Sequence, residues 1–329
     1  MIRIFADANY DFIGLRKYAY GVSAAILAVG IILLSVYGLN YSIEFTGGTL
    51  IQLHTNKTVD ANAVRNGLDQ QGIHGAEIQS FGGPNEFVIR ARVAKAGTDA
   101  NDTQATATAV SKALDTVLGQ GSYKIIGTEA VGPKVGGELR GKAFMAIFLS
   151  FFAVLAYLAF RFEWRFGLAA IVATAHDILT TIAFISLMKL EVSLVVVAAV
   201  LSMVGYSLND TIIIFDRVRE NLHKYKRDHF KDILNRSINE TLPRSVLTHG
   251  TSLATLLALA IFGGEVIRPF AMVMFFGVFT GTFSSIYIAS PVLLWIEQRW
   301  PGADVRGARA VKAAGSSSAS MQPAARSGR

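Results

Sequence analysis

The chain has 329 residues, 52% of them hydrophobic, with a formal net charge of +7. The apolar share exceeds the roughly 45–50% of soluble domains and falls in long blocks, which excludes an ordinary soluble globule. Cysteine is absent, which excludes a disulfide framework and a thiolate metal site. The basic excess sits beside the apolar blocks, where it orients spans rather than binding nucleic acid.

Arg16 and Lys17 precede the first apolar block, about residues 18–37. Its length exceeds the roughly 7–15 residues of a signal-peptide core, and Gly38-Leu39-Asn40-Tyr41 offers no small-x-small cleavage pattern. Residues 1–40 are therefore predicted as an N-terminus and an uncleaved first span. Residues 41–139 are polar and mixed. Strands are expected over Thr49–His54, Ala76–Ser80, Glu86–Ala91 and Ser122–Thr128, with a turn at Gly82-Gly83-Pro84-Asn85. Helices are expected over Asp60–Gln71 and Thr103–Leu118, from apolar spacings of three and four. Strand, helix, two strands, helix, strand is an α+β layout of the ferredoxin type.

Residues 140–300 hold five further apolar blocks, about 142–160, 166–187, 192–215, 245–262 and 270–296. Each is long enough, or nearly so, to cross a ~30 Å core. The predicted fold is an all-α bundle of six transmembrane helices, with one periplasmic α+β domain between spans 1 and 2. Residues 301–329, with Gly315-Ser316-Ser317-Ser318, are expected to form a disordered tail.

Lys and Arg set the orientation. Arg3, Arg16 and Lys17 precede span 1, Arg161 and Arg165 join spans 2 and 3, and Arg299 and Arg306 follow span 6. The loop between spans 4 and 5 holds eight basic residues from Arg217 to Arg244, whereas the opposite short turns hold only Lys189 and Arg268. Both termini are predicted to be cytoplasmic.

Ionisable groups inside spans are costly and suggest function. Span 3 carries His176 and Asp177, span 4 carries Asn209 and Asp210, and span 5 begins at Arg244. Asp210 lies ~28 Å along span 4, in its cytoplasmic third, and Arg244 enters span 5 at nearly the same depth. An Arg beside an Asp holds the carboxylate as an ion, and separation lets it take a proton. Asp210 and Arg244 are thus the predicted proton relay, with Arg244 as a mobile counter-charge. Arg244, Thr248, Thr251 and Thr255 share one face of span 5 and would line a hydrated path, the alternative being helix packing. Asn209, Asp177 and His176 are further candidates for the path. Ala198, Ser202, Gly205 and Asn209 make a small-residue face expected to pack against a neighbour. Asp216, Arg217 and Arg219 are expected as interfacial anchors. No catalytic residue, cofactor or metal ligand is predicted.

Gly205-Tyr206-Ser207-Leu208-Asn209-Asp210-Thr211, with Asp216-Arg217-Val218-Arg219-Glu220-Asn221 after it, resembles the fourth-span signature of the SecF family. Asn235–Arg244, Phe45-Thr46-Gly47-Gly48, Val131-Gly132-Pro133 with Gly136, and Ala175-His176-Asp177 fit the same family. The family belongs to the resistance-nodulation-division superfamily. The resemblance implies a SecD partner with a similar bundle, and association with the SecYEG channel and YajC in a bacterial inner membrane. It also implies proton influx that promotes movement of unfolded preprotein after the SecA-driven step, with Asp210 and Arg244 in the coupling. It places residues 41–139 in the periplasm, in a supporting role.

Three other readings compete. A fragment of an exporter of the same superfamily would usually carry two bundles. A non-conducting translocon scaffold is opposed only by Asp210 and Arg244. An intramembrane aspartyl protease would use Asp177 and Asp210, but Arg244 opposes the shared proton such a pair needs.

Overall fold

The computed structural model describes residues 8–57, 59–73, 76–80, 83, 85–91, 100–161 and 163–302. The predicted tail, from residue 303 on, and most of the turn at 82–85 lie outside the described residues. Among the described residues, six helices are long and apolar enough to cross a membrane. The first is α1, Arg16–Tyr37, entered through a short 3-10 turn at Ile13–Leu15. It stops at Gly38, whose φ of 66° no β-branched residue would adopt comfortably.

A short segment then ties the chain to a distant turn. β1 (Asn40–Tyr41) pairs in parallel with β6 (Glu191–Val192). α2 (Ile43–Thr46) follows, and Glu44 Oε2 accepts from the Leu194 N–H at 2.6 Å, placing an anion at the start of α7 (Leu194–Lys224). Gly47 and Gly48 have φ of 74° and 139°. A Cβ on Gly136 would come within 2.9 Å of the Gly47 nitrogen. The Phe45–Gly48 motif and Gly136 are therefore two sides of one backbone crossing.

The α+β unit contains β2 (Gly48–Thr55), α3 (Ala61–Gln70), β3 (Glu77–Ser80), β4 (Glu86–Ala91), α4 (Ala100–Leu118) and β5 (Tyr123–Val131). The sheet order is β3-β4-β2-β5, with every neighbouring pair antiparallel. Alternation along β2 turns Ile51 and Leu53 inward, where they meet Leu68 of α3, Ile89 of β4 and Leu114 of α4. Asp60 caps α3 by accepting from the Asn62 N–H at 3.0 Å. Tyr123 Oη lies 2.9 Å from Asp115 Oδ1, to which it donates, and 3.1 Å from the Ser111 carbonyl. Burial, with help from Asp115, pushes the Tyr123 hydroxyl up to about 12. Arg90 of β4 pairs with Glu191, so the sheet too is tied to the turn between α6 and α7.

The other spans are α5 (Pro133–Arg161), α6 (Trp164–Leu187), α7, α8 (Phe230–Phe262) and a sixth made of α9 (Gly264–Ser284), a π turn at Ser285–Ala289 and α10 (Ser290–Arg299). α6, α7 and the sixth span form the interior, whereas only 6% of the apolar window of α5 is buried. Its Phe144, Phe148 and Phe152 face outward, as they must where lipid or another chain is the solvent. At the end away from the α+β unit, Arg165 Nε pairs with Glu297 Oε1 at 2.7 Å.

These helices are longer than the hydropathy predicts. α5 starts nine residues before the expected 142, α7 runs nine beyond 215, and α8 starts 15 before 245. Hydropathy registers the apolar slab, while helical hydrogen bonding continues into water wherever polar residues support it. Arg217 Nε bonds Glu240 Oε2 at 2.6 Å, Asn221 bonds the same carboxylate at 2.7 Å, and Asp216 bonds Arg161 at 2.7 Å. These bonds knit the polar ends together, and α8 passes through Pro243 without ending.

Candidate functional site

α7 and α8 are antiparallel neighbours, and their shared seam is polar. Asp210 of α7 is 2% exposed. Its Oδ1 accepts from Ser245 Oγ at 2.6 Å, and its Oδ2 has no hydrogen-bond partner among the described residues. Arg244, the residue before Ser245, is exposed and forms no ion pair among the described residues. Neighbours on a helix point ~100° apart, so α8 presents either Ser245 or Arg244 to Asp210, not both. The sequence brings Asp210 and Arg244 to one level; in the structure Ser245 takes the contact.

One turn from Ser245, on the same face of α8, stands His249. It is 5% exposed, and its Nδ1 has no hydrogen-bond partner among the described residues. Its ring lies 5.5 Å from that of Tyr206, one turn before Asp210 on α7. Tyr206 Oη donates to Ser252 Oγ at 2.8 Å. Beyond it, toward the α+β end of the bundle, Tyr206, Thr251, Ser252 and Thr255 line an open cavity of about 300 Å³. Ser245, His249 and Ser252 are spaced four and three apart, one position on from Arg244, Thr248 and Thr251. The polar face of α8 is thus twice as broad as the threonine stripe alone suggests. That parallel spacing is a signal present in the sequence, but it gains meaning only once the helix phase is known.

Thr248, Thr251 and Thr255 are exposed. Thr251 Oγ1 donates to the Leu247 carbonyl at 2.9 Å, and Thr255 Oγ1 to that of Thr251 at 3.0 Å. Their hydroxyls bond back to their own helix, not to a neighbouring one. On α7, Ala198, Ser202, Gly205 and Asn209 are also exposed, and a Cβ on Gly205 would meet nothing within 4 Å. The small-residue face stands open within the single chain.

Asp177 belongs to a separate network. It is 0% exposed. Oδ2 accepts from Ser207 Oγ at 2.5 Å and Ser284 Oγ at 2.6 Å. Oδ1 lies 3.0 Å from His176 Nδ1, and His176 Nε2 lies 3.2 Å from Ser23 Oγ. A carboxylate only accepts, so Nδ1 carries the hydrogen and Nε2 accepts from the Ser23 hydroxyl. α9 supplies Ser284 because Gly277 and Gly281 let it approach α7. A Cβ on Gly281 would come within 2.9 Å of the Ser207 Cβ. Asp177 and Asp210 share no hydrogen-bond partner: one carboxylate is fully satisfied and the other is half satisfied. No cluster of three or more metal-binding side chains occurs among the described residues.

Residues 110–299 match the family described as protein export membrane protein SecD/SecF, C-terminal, and residues 32–59 match the SecD/SecF GG motif. The protein translocase subunit SecF of Gemmatimonas aurantiaca is 55% identical over 322 residues, which cover 95% of each chain. That of Magnetococcus marinus is 42% identical over 297 residues, covering 90% of this chain and 95% of its own. The crystal structure of SecDF, a translocon-associated membrane protein from Thermus thermophilus, is 34% identical with a TM-score of 0.80. It matches 89% of this chain, which spans 39% of that one.

Proposed function

The chain belongs to the SecD/SecF protein-export family, and from that premise we propose that it is the proton-coupling subunit that works with SecD to promote preprotein translocation after the SecA-driven step. It is a transport component of a protein translocase and spans the membrane several times. The observation that carries the proposal is Asp210, buried on α7 with one oxygen bonded to a neutral hydroxyl and the other free. A carboxyl held in this way has one oxygen with no donor on it, whereas both oxygens of Asp177 accept hydrogen bonds.

Arg244 and Ser245 supply the switch. A turn of α8 by ~100° exchanges one for the other against Asp210. With Arg244 in contact the carboxylate stays an ion; with Ser245 in contact it takes up a proton. Proton uptake and helix rotation are then one event. Asn209 and the threonine face of α8 line the wet side of this seam.

The open faces of α7 and α8 support a partner bundle there, and a SecD chain of similar architecture fits the length that the solved SecDF chain carries beyond this one. Association with SecYEG and YajC, and contact with unfolded preprotein, extend the reading. The distribution of basic residues supports a cytoplasmic position for both termini. The α+β unit then lies in the periplasm, and its strand order supports the ferredoxin-like reading.

The test is Asp210→Asn in cells that depend on this protein, with export of a secreted reporter measured under an intact proton gradient. Asn keeps size and hydrogen bonding but cannot ionise. Export at the level of the deletion, with normal accumulation beside SecD, is expected. Normal export would make Asp210 a structural anchor and this chain a scaffold.

A further inference from the structure

Asp210 and His249 lie on the same α7–α8 seam, His249 one turn nearer the α+β end of the bundle. The two residues face each other diagonally across the α7–α8 seam, one helical turn apart in depth, with Ser245 and Tyr206 completing the square. Each contributes a buried polar atom with no partner among the described residues, Asp210 Oδ2 and His249 Nδ1. Buried polar atoms are usually paired, so two unpaired ones on facing helices call for an explanation. A core histidine with a merely structural role would have its ring nitrogens bonded, as those of His176 are.

Next to His249, across the Tyr206 ring, lies the open cavity of about 300 Å³, with Tyr206, Thr251, Ser252 and Thr255 on its hydroxyl side and Leu256, Met274 and Val278 on its apolar side. Its volume admits water, and the hydroxyl side offers that water partners. The titratable groups facing His249 are Asp210 and Tyr206 from α7, while Arg244 of its own helix is turned to the exposed face. α9, packed on the other side, carries no ionisable residue between Arg268 and Ser284.

We propose that His249 is the proton carrier between this cavity and Asp210. The inference rests on Asp210 being the coupling carboxylate and adds the step that loads it. Imidazole takes one proton from cavity water and releases one to the Asp210 carboxylate. His249 ends neutral as it began, Asp210 ends as the acid, and the water has lost the proton. Histidine suits the step because one imidazole can both accept a proton and release it. Ser245 then holds the acid until α8 turns.

The experiment uses the full chain with its SecD partner in proteoliposomes, reading proton uptake under an imposed pH gradient as external pH is varied. The chains compared are the wild type, His249→Gln and Asp210→Asn. Gln matches the imidazole in polarity but carries no proton. Expected are uptake in His249→Gln about a hundredfold or more below wild type, in the range of lost acid–base catalysis, loss of the wild-type pH profile, and no uptake in Asp210→Asn. If Asp210→Asn is silent while His249→Gln keeps the wild-type rate and profile, the carrier role is overturned and the coupling role of Asp210 stands. If Asp210→Asn itself conducts, both fall. Should His249→Gln fail to assemble, His249→Ala with added imidazole decides. Restored uptake supports the carrier role, and uptake that stays low in an assembled complex overturns it.

Discussion

Ser245 Oγ donates to Asp210 Oδ1 at 2.6 Å, while the adjacent Arg244 stands on the exposed face of α8. A neutral contact and a charged one are thus stored side by side on one helix, ~100° apart. Ser245→Ala removes the neutral contact, worth about 1–3 kcal/mol at a buried acceptor. The equilibrium should move by roughly tenfold or more toward Arg244 facing Asp210. The chain has no cysteine, so a single Thr248→Cys reports the rotation cleanly. Its labelling by a water-soluble thiol reagent should slow when Ser245→Ala is added. An unchanged rate would sink the rotation.

Asp177→Ala should unfold the bundle rather than tune transport. It leaves the donors of Ser207, Ser284 and His176 without their acceptor in a dry interior. At about 1–3 kcal/mol for each stranded group, the loss approaches the stability of a typical domain. Thermal unfolding in detergent should show a large fall in midpoint, and export should decline in step with protein abundance. A normal midpoint with failed export would move Asp177 into the proton path.

Gly136→Val and Gly137→Val form a matched pair on one turn of α5. A Cβ at Gly136 meets the Gly47 nitrogen at 2.9 Å, whereas one at Gly137 meets nothing within 4 Å. Overpacking against backbone costs about 1–3 kcal/mol. Gly136→Val should open the crossing, seen as faster proteolysis within residues 41–48, and Gly137→Val should not. Equal proteolysis of the two variants would refute the crossing as the cause.

Tyr123 gives the α+β unit an alkaline limit. Its hydroxyl is pushed up to about 12 in the fold and titrates near 10 in an unfolded chain. The folded form holds the proton more tightly, so the contribution is complete below pH ~10 and is lost as pH rises toward about 12. Hydrogen exchange of α4 should accelerate across that window in the wild type. Tyr123→Phe should remove the pH dependence while weakening α4 at neutral pH, and an identical profile in both would exclude Tyr123.

Much of this was legible in sequence for a physical reason: apolar blocks and period-two alternation are properties of burial, which composition records directly. The strand over Glu86–Ala91 has the bounds its residues suggest. The polar extensions of α7 and α8 were not legible, because they rest on cross-helix bonds such as Arg217 to Glu240. Asp210 and Arg244 stand out as charges in apolar surroundings. Ser245 and His249 do not, since a serine next to an arginine and a single histidine gain meaning only when helix phase places them opposite Asp210 and Tyr206. Nor does charge alone tell a satisfied carboxylate such as Asp177 from a half-satisfied one.

The close seam between α1 and α6 has a consequence for synthesis. Ser23 meets His176, and a Cβ on Gly30 would come within 2.3 Å of that of Ala183. In each case the partner arrives 153 residues later. At ribosomal speeds of about 5–20 residues per second, the first span waits in lipid for roughly 8–30 s. Throughout that interval its serine and glycines face acyl chains. The whole α+β unit and α5 are made in that interval. Quality control that reads unpaired small or polar residues in a lone helix would therefore find this chain most vulnerable before its third helix is made.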